Sequence, residues 1–137
     1  MSHFSELTRG FPAQFLDVLP LPMVVTKPLS DSSNSLIVFV NRSFSEQIGW
    51  SLKEIPDKQH WFELAFPDPD YKRVIERQWE LALLNARETN DDFVFMETNI
   101  MTKFGHERRF KLFIQIHSIM LPGYHLTGFA KPEKPLL

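Results

Sequence analysis

The chain has 137 residues, of which 43% are hydrophobic and 23% charged, and its net charge is −2. These values are typical of one globular domain with a sizeable core, and the small net charge gives no reason to expect a nucleic-acid partner or insertion into a membrane. The absence of cysteine excludes disulfides, thiol nucleophiles and thiolate metal sites, and it fits a cytoplasmic location.

The N-terminal part of the chain predicts a short helix followed by two strands. Residues 12–19 have helical spacing, with Phe15, Leu16 and Leu19 on one side, and prolines follow them. Residues 23–27 and 36–41 are rich in β-branched side chains, which favours strands.

Helical signals follow the second strand. Asn41 is a suitable N-cap for a helix at residues 42–48. Ser51 and Glu54 have the spacing of a capping box, which puts Gly49 at a sharp junction between two short helices. A long helix is predicted at residues 71–86, where the apolar residues recur with a helical period.

The acidic run before the long helix has two interpretations. Glu63, Asp68 and Asp70 are compatible with a metal site or an acid–base pair. The simpler interpretation is a helix start, with Asp68 as N-cap, Pro69 in the first turn and Asp70 favoured by the helix dipole. The histidines show no metal-ligand spacing, and we expect His117 and His125 on the outer face of the sheet.

Three C-terminal strands are predicted at residues 93–102, 106–120 and 124–130, and the first hairpin has two possible registers. A two-residue loop turns Glu97 and Asn99 inward. A three-residue loop with Gly105 in the left-handed position makes one face almost wholly apolar and puts Glu97 opposite Lys111. We expect the three-residue loop, because a slip of one residue destroys both patterns.

This register predicts an aromatic outer face. A similar loop at residues 121–123 would add Phe129 opposite Gln115. A patch of this kind is unusual on a monomer, so we expect the segment 11–19 or a second subunit to cover it. The predicted dimer or helix-docking face comprises Phe11, Phe15, Leu19, Phe93, Phe95, Phe113 and Phe129.

The inner face is the candidate ligand pocket, with Trp61 and Trp79 flanking it. Thr98 is its one obvious polar group, so a ligand would be small and mostly apolar; a plain packed core is the alternative. The predicted pocket residues are Phe44, Ile48, Ile75, Trp79, Met96, Thr98, Leu112, Ile114 and Leu126.

Several stretches, in this order, resemble the PAS domain family. They are "FLDVLPLPMVV", "IVFVNRSFSEQIGWSLKEI", "HWFELAFPDPDYKRVIERQW" and the hairpin "TKFGHERRF". The resemblance implies an α+β fold: a five-stranded antiparallel sheet with several short helices and one long helix packed on one face, plus a short N-terminal helix. It assigns residues 11–131 to a single domain that begins with a cap helix at 11–22, between an N-terminal tail (1–10) and a C-terminal tail or linker stub (132–137).

The resemblance also implies a function. It suggests a non-catalytic sensory and dimerisation module of bacterial signal transduction, similar to those of sensor histidine kinases in two-component systems, acting as a homodimer with an output domain or partner protein. No cofactor is predicted: the long helix lacks the histidine that haem-binding members use, and a cysteinyl flavin needs a cysteine. An unknown small apolar ligand remains open, as do a ligand-free adaptor and, if Glu97 and Asn99 face inward, a small enzyme.

Overall fold

The structure, a computed structural model, describes residues 13–117 and 121–132. Within them a 3-10 helix, Ala13–Val18, precedes five strands and three α-helices. The strands are β1 (Met23–Pro28), β2 (Ser35–Val40), β3 (Phe93–Met101), β4 (Glu107–Gln115) and β5 (His125–Ala130). Between β2 and β3 lie the helices α1 (Arg42–Gln47), α2 (Lys58–Ala65) and α3 (Pro69–Thr89).

The strands form one antiparallel sheet in the order β2-β1-β5-β4-β3. The main core lies between the helices and one face of this sheet, where Phe44 and Ile75 join Phe110 and Phe129. Complete burial of each such side chain stabilises the fold by roughly 1.5–3 kcal/mol. We call this face the inner face and the opposite one the outer face. The expected α+β architecture, with its helices packed on one face, is confirmed.

The helix starts follow the predicted capping residues in two of three cases. The Asn41 side chain accepts a hydrogen bond from the Phe44 amide and caps α1. Asp68 caps α3, with Pro69 in the first turn and Asp70 beside it. The interpretation of the acidic run as a helix start is therefore confirmed.

The capping box at Ser51 and Glu54 forms, but it begins only a single turn. The Glu54 carboxylate accepts a hydrogen bond from the Ser51 backbone amide at 3.0 Å, and the Ser51 hydroxyl accepts one from the Glu54 backbone amide at 3.3 Å. Pro56 follows, and a residue before proline is disfavoured in the helical region. The second short helix, α2, therefore begins later than predicted, with Asp57 as its N-cap.

The first hairpin has the predicted three-residue loop. Met96 pairs with Leu112, and Glu97 pairs with Lys111 on the outer face. Gly105 has a φ of 85°, the left-handed conformation that glycine adopts without steric cost.

The prediction for the second hairpin was wrong. Phe129 pairs with Leu112, not with Gln115, which is a difference of three residues. An odd shift exchanges the two faces of a strand, so Phe129 is buried on the inner face and Leu126 lies on the outer face. The connection is longer than a tight hairpin, because β4 ends at Gln115 and β5 begins at His125.

Gly128 is also on the outer face, opposite Phe113. A Cβ atom at Gly128 would lie 2.1 Å from Cζ of Phe113, so the aromatic ring lies directly over the glycine. The absence of a side chain at position 128 therefore makes room for Phe113 and not for a ligand on the inner face.

The N-terminal segment packs differently from its prediction. Leu16 is buried against Val25 and Tyr124 on the outer face, whereas Phe15 is 57% exposed and Leu19 is 38% exposed. In a 3-10 helix Phe15 is turned about a third of a turn away from Leu16, and Leu19 lies beyond the last residue of the helix, so these three side chains do not share one face. Phe11 lies outside the described residues.

Candidate ligand cavity

A cavity of about 90 Å³ lies between the inner face of the sheet and the helices α2 and α3. Its walls are chiefly aromatic and aliphatic. One water molecule needs roughly 10–15 Å³ of cavity volume, so this cavity has room for about six to nine water-sized groups. The residues that line it are Val24, Thr26, Ser35, Ile37, Ile55, Lys58, Trp61, Phe62, Phe66, Ile75, Trp79, Met96, Thr98, Leu112, Ile114, His125, Thr127 and Phe129.

Most of the predicted pocket residues lie at this cavity. Both predicted tryptophans, Trp61 and Trp79, line it, and so do Ile75, Met96, Thr98, Leu112 and Ile114. Phe44 and Ile48 are fully buried in the adjoining core instead. Leu126 is on the outer face, a consequence of the incorrect register of the second hairpin.

The aromatic wall contains a residue that sequence reasoning assigned to the wrong face. The ring of Phe129 lies 5.8 Å from the Trp61 ring and 5.7 Å from the Phe44 ring, both edge to face. Such contacts hold large rings in fixed orientations. Phe129 is therefore part of the cavity and not of the predicted dimer face.

Thr98, the polar group that was expected to contact a ligand, forms its hydrogen bond within the protein instead. Its hydroxyl lies 2.9 Å from the Tyr71 hydroxyl, which also accepts a hydrogen bond from the Asn99 amide at 3.0 Å. This pairing joins the start of α3 to the edge strand β3. Thr98 therefore offers little to a ligand.

The opposite end of the cavity carries polar side chains that the sequence did not indicate. We call Thr26, Ser35, Lys58, His125 and Thr127 the polar end. Thr26 pairs with His125 across β1 and β5, and Ser35 begins β2 at the same end of the sheet. Lys58, in the first turn of α2, lies above them. His125 and Thr127 face the cavity only because of the register of β5, which is why this end of the cavity escaped prediction.

Burial shifts the pKa values of both basic groups at the polar end. Burial lowers the pKa of Lys58, while the carboxylates of Glu80 and Glu76 oppose that shift. Burial, and then the positive charges of Arg87, His117 and Lys58, lower the pKa of His125 to about 4. His125 is therefore a neutral imidazole at pH 7.

A polar groove adjoins the cavity on the outside. Lys58, Phe62 and Trp79 border both spaces, whereas Lys72, Glu76 and Glu80 border only the groove. The Lys58 ammonium donates to the carbonyl oxygen of Ser33 at this boundary. Lys58 thus separates an apolar cavity from a mixed-charge surface.

On the outer face, Phe93, Phe95 and Phe113 form what we call the outer aromatic patch. Phe95 is 63% exposed, and its ring stacks on Phe93 with centroids 6.1 Å apart. Phe95 is paired with Phe113, so the patch spans two strands. Leu16 of the N-terminal segment packs in the separate cluster with Val25 and Tyr124 and not in this patch.

The acidic and histidine residues do not assemble a metal site within the described chain. No group of three or more histidine, aspartate or glutamate side chains is close enough to hold an ion there. Glu97 faces outward and lies 3.4 Å from Arg109, so the inward register that an acid–base site needs is not formed. His117 is exposed, but His125 lines the cavity, so the outer-face prediction for His125 was wrong.

The chain has the PAS fold. It superimposes on the PAS domain of a protein from Colwellia psychrerythraea with a TM-score of 0.58 and 20% identity, covering 88% of this chain and 92% of that one. A domain of the sensory box sensor histidine kinase/response regulator from Geobacter sulfurreducens gives a TM-score of 0.56 at 15% identity, covering 93% of each chain. The expected resemblance is confirmed at the level of fold.

Light-oxygen-voltage proteins share this fold. The Rhodobacter sphaeroides LOV protein gives a TM-score of 0.55 at 12% identity, covering 94% of this chain and 67% of that one. No protein-family model matches the sequence, and no curated protein matches it significantly. None of the described helices is long and apolar enough to cross a membrane.

The cavity of about 90 Å³ has chiefly aromatic and aliphatic walls. The sequence has no cysteine for a flavin adduct.

Proposed function

We propose that this chain is a non-catalytic PAS sensory module of bacterial signal transduction that binds a small ligand in the inner cavity. The observation that carries the proposal is the combination of aromatic walls with a group of polar side chains at one end. Small-molecule sites usually have this character, with a few convergent polar groups in an apolar enclosure. A cytoplasmic location is part of the proposal and fits the cysteine-free sequence.

The proposed signal passes from the cavity through the sheet to the N-terminal segment. Asn41 joins that segment to β1 and α1 by hydrogen bonds, so a shift at the sheet reaches the 3-10 helix directly. A ligand that binds one arrangement more tightly shifts the population toward it. A partner protein or an output domain would then read the change.

Homodimerisation through the outer aromatic patch is the second part of the proposal. Exposed aromatic side chains on a sheet face are a common feature of interaction surfaces. Phe93, Phe95 and Phe113 support a contact there, whereas Phe129 does not, because it is buried inside. Of the N-terminal residues, Phe15 and Leu19 are exposed and belong to the same proposal.

A ligand-free adaptor is the competing function, and the same exposed patch favours it. Native mass spectrometry of the purified protein separates the two. Under the sensing proposal, wild type carries a small molecule, Ile114→Phe loses it, and Leu126→Phe, on the other face, keeps it. Repeated preparations without any bound molecule would favour the adaptor.

A further inference from the structure

We propose that the cavity binds a small carboxylic acid in its ionised form, with the carboxylate at the polar end and the apolar body against the aromatic wall. This inference rests on the proposed function, since it names the ligand class for the same cavity. It is carried by the chemistry of the polar end, where every side chain can donate a hydrogen bond and none is an acid.

Most of the side-chain hydrogen-bond donors at the polar end are not used within the described part of the protein. Among the described residues, no hydrogen bond joins the side chains of Thr26, Ser35, His125 or Thr127 to another part of the protein. Lys58 uses one of its three donors on the Ser33 carbonyl oxygen. A carboxylate has two oxygens that accept several hydrogen bonds, so it matches this set of donors.

The charges around His125 also favour an anion. Arg87, His117 and Lys58 all act on its imidazole as positive neighbours, and none of the residues that line the cavity is acidic. Glu76 and Glu80 act on Lys58 from the outer groove and do not line the cavity. A negative charge inside the cavity therefore faces cations and neutral donors.

Size and charge together restrict the ligand to a single carboxylate on a small body. The cavity of about 90 Å³ has room for about six to nine water-sized groups, and Trp61, Trp79 and Phe129 supply flat apolar contacts. One ammonium, with Glu76 and Glu80 on its other side, does not balance a doubly charged group such as a phosphate monoester.

NMR titration of the ¹⁵N-labelled protein tests the ligand class with four probes of similar shape: benzoate, benzamide, benzylamine and toluene. We expect benzoate to bind about tenfold more tightly than benzamide, since only benzoate gains charge-assisted hydrogen bonds. Lys58→Met should remove that preference. Lys72→Met, which alters a lysine of the outer groove alone, should retain it.

The outcomes separate the two proposals. If toluene or benzamide binds as tightly as benzoate, or benzylamine binds more tightly, the carboxylic acid class is overturned and ligand sensing stands. If no probe shifts the resonances of cavity residues, the sensing function is overturned together with the ligand class.

A measurement on the wild-type protein keeps the inference testable if Lys58→Met fails to fold. A carboxylate bound beside His125 must raise the pKa of its imidazole, because it offsets the positive charges of Arg87, His117 and Lys58. Imidazole ¹⁵N shifts recorded against pH, with and without saturating benzoate, report that pKa. An unchanged pKa in the benzoate complex would overturn the inference.

Discussion

The side-chain amide of Asn41 donates a hydrogen bond to the carbonyl oxygen of Leu16 at 2.7 Å, across 25 residues of sequence. The same amide group donates to Leu21, and its oxygen accepts from the backbone amides of Met23 and Phe44. One fully buried side chain thus joins the N-terminal 3-10 helix, the start of β1 and the N-terminus of α1. It links the proposed sensing sheet to the N-terminal 3-10 helix.

Replacing Asn41 by alanine should destabilise the domain by about 2–4 kcal/mol, because the helix loses its cap and buried carbonyl and amide groups lose their partners. Urea unfolding measures the change. Asn85→Ala, at an exposed position on α3, is the control and should stay within about 0.5 kcal/mol of wild type. If Asn41→Ala lowers the free energy of unfolding no more than Asn85→Ala does, the proposed link through Asn41 is contradicted.

Gly128→Ala should destabilise the domain by roughly 1–3 kcal/mol, because the new methyl group would overlap the Phe113 ring. Urea unfolding of the single variants and the double variant tests the cause. In a Phe113→Ala background the same change should cost much less, since the overlapping ring is gone. Equal costs in both backgrounds would show that the ring contact is not responsible.

His125 should make the domain less stable as the pH falls. Its pKa is about 4 in the folded chain and 6.5 as a model value, so the unfolded chain takes up the proton first. The contribution of the neutral His125 imidazole to the free energy of unfolding is present above pH 6.5 and is lost as the pH falls toward 4. We expect wild type to lose more stability than His125→Gln between about pH 7.5 and about pH 5, measured by urea unfolding.

The control for this experiment is His106→Gln, which removes an exposed histidine at the first hairpin and should behave as wild type does. The lowered pKa values of Glu54 and Asp57 also weaken the fold in acid, but they are common to all three proteins. They therefore cancel in the comparison. Parallel losses in wild type and His125→Gln would contradict the burial of this imidazole.

Phe95→Glu should convert a dimer of this chain to a monomer in sedimentation velocity, because it places a charge in the outer aromatic patch. Phe104→Glu is the matched control: Phe104 is 56% exposed, close to the 63% of Phe95, but it lies at the tip of the first hairpin. Phe95→Glu is cleaner than Phe113→Glu, since Phe113 also packs over Gly128. A wild type that is monomeric at high concentration would refute the patch as a dimer interface.

Local chemistry determined much of the fold. Gly105, together with the alternating pattern of β3 and β4, selected the first hairpin, because a slip of one residue breaks the apolar face. The capping side chains of Asn41 and Asp68 marked two helix starts for a similar reason, since each satisfies backbone groups within a few residues. These features need no information from distant parts of the chain.

The second hairpin shows where local reasoning stops. β5 pairs with β1 as well as with β4, and the connection before it buries Leu121 and Tyr124 against the outer face. Its register is therefore set by contacts that are remote in sequence and not by a turn motif. Phe129, Leu126 and His125 were all assigned to the wrong face for this single reason.

The sequence by itself determined the order of helices and strands, two helix caps, the first hairpin and most of the apolar cavity wall, because period and capping act over a few residues. The five-stranded architecture followed from the resemblance to PAS domains. Only the tertiary structure decided the polar end of the cavity. Lys58 and His125 are far apart in sequence, and they meet because the odd shift of β5 turns His125 inward beneath α2. The candidate ligand chemistry therefore arises from non-local strand pairing and not from a motif.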